Sequence, residues 1–289
     1  MNVPKARRRK SPSGVEAVTA LVGRAFVVLF ALTVLLPFFW VIYTSFKSRH
    51  EITSSPWGIP ATLRWENFSN AWQKASIGQY FLNSFLVTIA TLAILIPIGA
   101  MAAYVLARYP FRGSQVLYGT FLSGMMFPIF LTIVPLFFLM NDLGLMDTLT
   151  GLVAVYVAFS LPFTVFVLTG FFQTLPDDLA EAAMIDGCGD ARVFWKVMLP
   201  LARPGLVVVG IFNAIGLWNE YSLALVLIPS EENRTLPLGI ANLVMVQHYQ
   251  SDWGALFAGL VIVMIPVMVL YWLFRDKIHE TMLAGAIKG

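Results

Sequence analysis

Asn213, Trp218, Asn219, Glu220 and Tyr221 form the one polar and aromatic cluster that falls inside an apolar stretch of this chain. Amides and a carboxylate can exchange hydrogen bonds with a hydroxylated solute, and an indole or phenol ring can stack on its apolar face. Glu220 lies about 15 residues, or about 22 Å at helical rise, into that stretch. An acid at such depth costs about 2.5–3.5 kcal/mol on insertion scales, so it must face protein or water. Lining a solute path is one use for the cluster, and kinking its helix or sealing an outer gate is the other. The remaining chemistry is sparse. His50, His248 and His279 share no metal-ligand spacing, Cys188 has no cysteine to pair with, and no phosphate-cradling G-x-x-x-x-G-K-[ST] occurs. The chain carries no catalytic, metal or cofactor site.

A second group lies in the polar connection over residues 172–204. Pro176-Asp177-Asp178 suits the first turn of a helix, and Asp178 and Glu181 have capping-box spacing. Leu179 to Asp186 is strongly helical, Gly187 stops it, and Gly189 permits a tight turn. Asp190 suits the N-cap of a second helix over 191–198, which Leu199-Pro200 ends. Two short helices with small side chains make a compact knob that another backbone can approach. Five acids (Asp177, Asp178, Glu181, Asp186 and Asp190) against Arg192, Lys196 and Arg203 exclude a nucleic-acid partner.

The elements that hold these groups follow from composition. Of 289 residues, 58% are hydrophobic and 12% charged, and mean hydropathy is +0.76. A soluble domain holds about 45–50% and about 25%. The surrounding solvent is therefore the lipid bilayer. Six stretches approach the roughly 20 residues a bilayer core needs: 25–45, 80–106, 116–140, 149–171, 205–228 and 254–274. Period-two alternation is absent from them, so six transmembrane helices in an all-α membrane protein are expected. Fourteen of the 19 Lys and Arg fall on the side of the termini and the 172–204 loop, which places both termini in the cytoplasm. Fifteen of the 16 acids lie outside the stretches. The division is then a basic cytoplasmic tail over 1–24, disordered in its first 14 residues, and an uncleaved first helix over 25–46. An external loop over 47–77, a core over 78–275 and a cytoplasmic tail over 276–289 complete it. Prolines 37, 97, 128, 135, 162 and 266 predict kinked helices.

Glu181-Ala182-Ala183, Asp186-Gly187 and, after an eleven-residue gap, Leu199-Pro200 resemble the EAA loop of binding-protein-dependent ABC importer permeases. The resemblance covers roughly residues 78–275 and implies the type-1 importer permease fold. Trp218-Asn219-Glu220-Tyr221 and the ending Ala284 to Gly289 are similar to the maltose-type carbohydrate branch. In that branch the subunit pairs with a second, related permease. What the family implies is a division of labour. The EAA segment docks on cytoplasmic P-loop ATPase subunits, an external solute-binding protein delivers the solute, and ATP is hydrolysed on the partner chains. Gly285, Ala286, Lys288 and Gly289 resemble the tail that reaches the ATPase dimer. A sugar or oligosaccharide is the implied cargo: a maltodextrin, a disaccharide, N-acetylglucosamine or chitobiose. A permease for an amino acid or polyamine, or a stand-alone channel or ion-coupled carrier, are the alternatives.

Overall fold

The computed structural model describes residues 14–250 and 252–286. Helices are the regular elements of those residues, and no strand occurs among them. Helix α1 (Gly14–Thr44) is followed by α2 (Arg49–Ser54), α3 (Glu66–Ser69), which runs on as a π turn over Asn70–Lys74, and α4 (Ile77–Arg108). Next come α5 (Ser114–Met126), α6 (Ile129–Asp142) and α7 (Leu149–Phe172). The connection after α7 holds α8 (Asp178–Ile185), α9 (Asp190–Val193), a π turn over Phe194–Met198, and α10 (Leu199–Leu201). The chain then forms α11 (Arg203–Trp218), α12 (Ser222–Leu227), α13 (Leu236–Gln250) and α14 (Trp253–Ala286). Helices α1, α4, α7 and α14 are each long and apolar enough to span a membrane, and the bent pairs α5–α6 and α9–α11 bring the number to six if each pair is one span.

The bundle is built around α4 and α7, with α11 packed on both. Small residues let them approach: a side chain at Gly99 of α4 would strike Thr164 of α7, and one at Gly205 of α11 would strike Phe171. Two apolar clusters fill the opposite halves of this trio. One joins Val87, Leu152, Tyr156, Leu217 and Leu227, and the other joins Ala103, Leu168, Phe172, Val193 and Val209. A third, around Ile77, Trp218, Leu236 and Ala258, seats α13 and the start of α14 against α4. Helix α1 is different, because its side chains are exposed on every side over residues 19–39. An apolar helix that buries no face in its own fold is solvated by lipid or by another chain.

Several expectations are corrected. The stretch over 116–140 is two helices meeting at 101°. Pro128 has no N–H to continue the first, and Phe127 ahead of it is extended at ψ 121°. The stretch over 205–228 is also divided, because α11 stops at Trp218 and Glu220 lies in the gap before α12. The tail expected over 1–24 is helical from Gly14. Leu199-Pro200 does not end the second knob helix. The turn ahead of Pro200 widens, with the Leu199 N–H bonding the Phe194 carbonyl, and the bend of 73° comes at Ala202.

The expected external loop over 47–77 has its own architecture. Lys47 is fully buried and donates to the carbonyls of Ser55 (3.1 Å) and Pro56 (2.8 Å). Asn67 donates to the carbonyls of Ser45 and Lys47, tying the loop to the end of α1. The Glu51 carboxylate accepts from the Ala61 N–H (2.9 Å) and from the Ser48 N–H and hydroxyl. Those bonds, the Ala61 N–H first, hold its pKa down at about 2. A depressed carboxyl stabilises the fold above its unfolded value near 4.5, and that contribution is lost as pH falls towards 2. The protection of the Ala61 amide, taken relative to its intrinsic exchange rate, should therefore fall through that acid window, and in Glu51→Ala it should be low at neutral pH as well.

Candidate functional site

Two places in this framework gather the residues singled out by sequence. The first is the knob. Helix α8 starts at Asp178, and the Asp178–Glu181 capping box does not form. Asp177 is the N-cap, in helical conformation and without a capping bond, because its carboxylate pairs with Arg108 instead. Gly187 ends the helix at φ +82°, the left-handed region that favours glycine. Asp190 is the first residue of α9, not its N-cap. Gly189 takes the N-cap place in extended conformation, and the Asp190 carboxylate accepts from the Tyr109 hydroxyl at 3.2 Å. Ala180, Val193, Phe194 and Met198 are buried and root the knob in the apolar cluster between α4, α7 and α11.

What the knob presents outward is its tip. Glu181, Ala182, Asp186 and Gly187 are exposed, Ala183 and Leu199 are half-buried, and Pro200 is exposed. Ile185 is 86% exposed beside Met184 at 44%. The tip therefore presents an apolar side chain that the fold itself does not cover. The arrangement offers small and apolar side chains flanked by acids, on a base that cannot easily reorient.

Sequence reasoning missed what fixes that base. Arg108, at the last turn of α4, reaches the Leu175 carbonyl (2.5 Å) and the Asp177 carboxylate, with its side chain only 10% exposed. Tyr109 follows it and holds Asp190. Burial first, and then Tyr104 and Asp190, pushes the Tyr109 hydroxyl up from its ordinary pKa, so it remains a donor. Nearly seventy residues separate Arg108 from Asp177, and in sequence the arginine reads only as a topology signal. No local spacing could have found the pair.

The second place is a cavity of about 310 Å³ between α7 and α11, lined by Tyr156, Phe159, Ser160, Phe163, Phe212, Asn213, Gly216 and Glu220 among others. Glu220 has three partners. The Tyr156 hydroxyl donates to it at 2.6 Å, and the N–H groups of Leu223 (2.7 Å) and Ala224 (3.1 Å) donate from the first turn of α12. The carboxylate thus closes the helix break by capping α12 and complements the positive end of its dipole. Asn213 is 7% exposed and donates to Thr164 Oγ1 and the Val209 carbonyl, both at 3.0 Å.

The structure brings Asn213 and Glu220 to this cavity, but it does not bring the other three residues there. Trp218 is 4% exposed, donates its indole N–H to the Val263 carbonyl and packs edge-on against Phe81. Asn219 folds back on the Ile215 carbonyl, and Tyr221 packs on the cluster around α12. Tyr156 and the phenylalanines of α7 were missed because an aromatic residue within an apolar span carries no signal of which way it faces. Of the expected tail contacts, Gly285 and Ala286 are the last residues of α14, and Lys288 and Gly289 lie outside the described residues.

Four likenesses bear on these places. The family described as binding-protein-dependent transport system inner membrane component matches residues 95–279. The diacetylchitobiose uptake system permease protein NgcG of Streptomyces coelicolor is 46% identical over 93% of this chain and 89% of its own length. The trehalose transport system permease protein SugB of Mycobacterium tuberculosis is 34% identical over 88% of this chain and 93% of its own. Among solved structures, a chain of a bacterial ABC transporter involved in the import of the acidic polysaccharide alginate superposes with a TM-score of 0.76. It is 24% identical and covers 93% of this chain and 99% of that one, which is a likeness of fold.

Proposed function

The chain belongs to the family of binding-protein-dependent transport system inner membrane components, and from that premise we propose how this ABC importer permease is coupled and what it carries. As a permease subunit it is multi-pass in the cytoplasmic membrane and has no enzymatic role, since ATP is hydrolysed on a separate partner. Its cargo is a sugar or oligosaccharide, and a disaccharide of the diacetylchitobiose kind is the first to test. The relative named for that sugar is 46% identical, against 34% for the one named for trehalose.

The exposed tip of the knob carries the coupling. Glu181, Ala182, Ala183, Asp186 and Gly187 seat in a cleft of the cytoplasmic ATPase with Ile185 as the apolar anchor, while Leu199 and Pro200 set the bend behind them. Nucleotide-driven closure then moves the α4–α7–α11 trio between inward-open and outward-open arrangements. In this reading there are six spans, with α5–α6 and α9–α11 each counted as one, and both termini are cytoplasmic. A second, related permease completes the translocation path, and α1 lies against lipid and that partner. Gly285, Ala286, Lys288 and Gly289 reach towards the ATPase dimer. Asn213 and Glu220 border the path at the cavity beside α7, with Tyr156 and the phenylalanine faces supplying the stacking surface. Trp218, Asn219 and Tyr221 hold the helix break around it.

The observation that carries this reading is a motif-bearing helix rooted in the bundle with an isoleucine left in water at its tip. The test is uptake of labelled diacetylchitobiose into proteoliposomes holding the full transporter and its binding protein. Uptake should require both ATP and the binding protein, whereas the purified chain alone should hydrolyse no ATP. Hydrolysis by the isolated chain, or uptake without ATP, would overturn the division of labour.

A further inference from the structure

Helix α4 is gripped by hydrogen bonds at both ends, and the two grips lie on opposite faces of the bundle. Near its start, four side chains within two turns hold the connection between α12 and α13. Gln79 donates to the Glu232 carbonyl (2.8 Å), and Tyr80 donates to the Glu231 carboxylate (3.1 Å). Asn83, 8% exposed, donates to the carbonyls of Glu232 (2.8 Å) and Arg234 (3.0 Å), and Ser84 Oγ accepts the Leu236 N–H (2.8 Å). At its end, Arg108 holds Leu175 and Asp177 ahead of α8, and Tyr109 holds Asp190 at the start of α9. Both knob helices are thus held from the same two residues.

The whole of α4 runs unbroken for 32 residues, about 48 Å at helical rise. Pro97 is its weak point, since a proline inside a helix removes one backbone bond. Two residues further on, Gly99 is pressed against Thr164 of α7, and that close packing braces the helix where it would otherwise bend. Buried side chains along its whole length, from Ile77 to Tyr104, keep it fixed in the bundle.

We propose that α4 is the strut that moves the 229–235 connection together with the knob, and that Arg108 and Asn83 are the positioning residues at its two ends. The guanidinium is suited to the inner end. It donates to a carbonyl and a carboxylate at once in a fixed fork, so displacement of the knob turns the helix end with it. The Asn83 amide does the same at the outer end, donating to two carbonyls two positions apart in the chain, those of Glu232 and Arg234. This rests on the knob being the ATPase-docking element.

The experiment uses the complete transporter in proteoliposomes, with ATPase retention, ATP turnover and uptake measured on the same preparation. Arg108→Gln should retain the ATPase at wild-type stoichiometry while sugar moved per ATP falls at least fivefold. Arg108→Lys, which keeps the charge opposite Asp177 but not the fork, should fall between. Asn83→Ala should retain the ATPase and lose at least fivefold of the stimulation of hydrolysis by the loaded binding protein. Wild-type sugar per ATP in Arg108→Gln, or wild-type stimulation in Asn83→Ala, overturns the strut. Loss of the ATPase from either complex also overturns it, since that would make the residue a support of docking alone. Should Arg108→Gln fail to reach the membrane, Arg108→Lys is judged by the same ratios. Glu181→Lys runs beside them. If it keeps full uptake, the docking reading itself fails, and if it loses uptake while Arg108→Gln does not, the strut alone fails.

Discussion

Valine at position 187 should abolish sugar uptake, by tenfold or more, while the protein still inserts and remains at wild-type levels in the membrane. Gly187 sits at φ +82° with no atom of the fold within 4 Å of where a side chain would begin, so there is no clash to unfold the bundle. The penalty is conformational, about 1–2 kcal/mol for a side-chain-bearing residue in the left-handed region, and worse for a β-branched one. It is met by moving the turn that follows Ile185, which is the surface an ATPase cleft would read. Asparagine tolerates this region and should retain most uptake, with alanine between the two. Glu181→Lys complements the series. The side chain is exposed, so thermal stability should stay within about 0.5 kcal/mol of wild type, yet uptake should fall at least tenfold. Wild-type uptake in both Gly187→Val and Glu181→Lys would remove the knob from the coupling mechanism.

The second large effect is expected at Glu220. Alanine there leaves the N–H groups of Leu223 and Ala224 without acceptors and the Tyr156 hydroxyl without its partner. A lost helix cap together with unsatisfied part-buried donors should cost about 2–4 kcal/mol. The transporter should lose thermal stability and transport together. Glutamine separates the cap from the path. One amide oxygen can still accept from α12, so the break between α11 and α12 is largely kept, but the NH₂ group cannot accept from Tyr156. If the carboxylate borders the solute path, Glu220→Gln should lower uptake several-fold with stability changed by less than about 1 kcal/mol. Tyr156→Phe should lower it less. A Glu220→Gln transporter with unchanged rate and solute preference would leave the residue as a cap only.

Both predictions turn on features that sequence reached unevenly. The knob helix over 178–185 and its glycine stop were legible, because local propensity and a left-handed turn are properties of a few consecutive residues. The interruptions of the third and fifth apolar stretches were not. Pro128 announced a kink, but the 101° bend depends on how α6 packs against α12 beyond it. Around Glu220 the composition pointed to a functional acid. Its role as a cap was invisible, since the N–H groups it accepts from are free only because the helix has already broken.

The sequence by itself determined that this is a helical membrane protein with an acidic, motif-bearing loop over 172–204 and one acid set deep in an apolar stretch. Composition, charge placement and residue spacing are summed along the chain, and they need no knowledge of who meets whom. Only the tertiary structure decided that Arg108 would lock the knob, that Tyr156 would find Glu220, and that Trp218 would turn away towards α14. Those pairs are separated by tens of residues. Their meeting is set by which faces of α4, α7, α11 and α14 pack together, and in helices apolar on all sides the periodic pattern that would announce a buried face is absent.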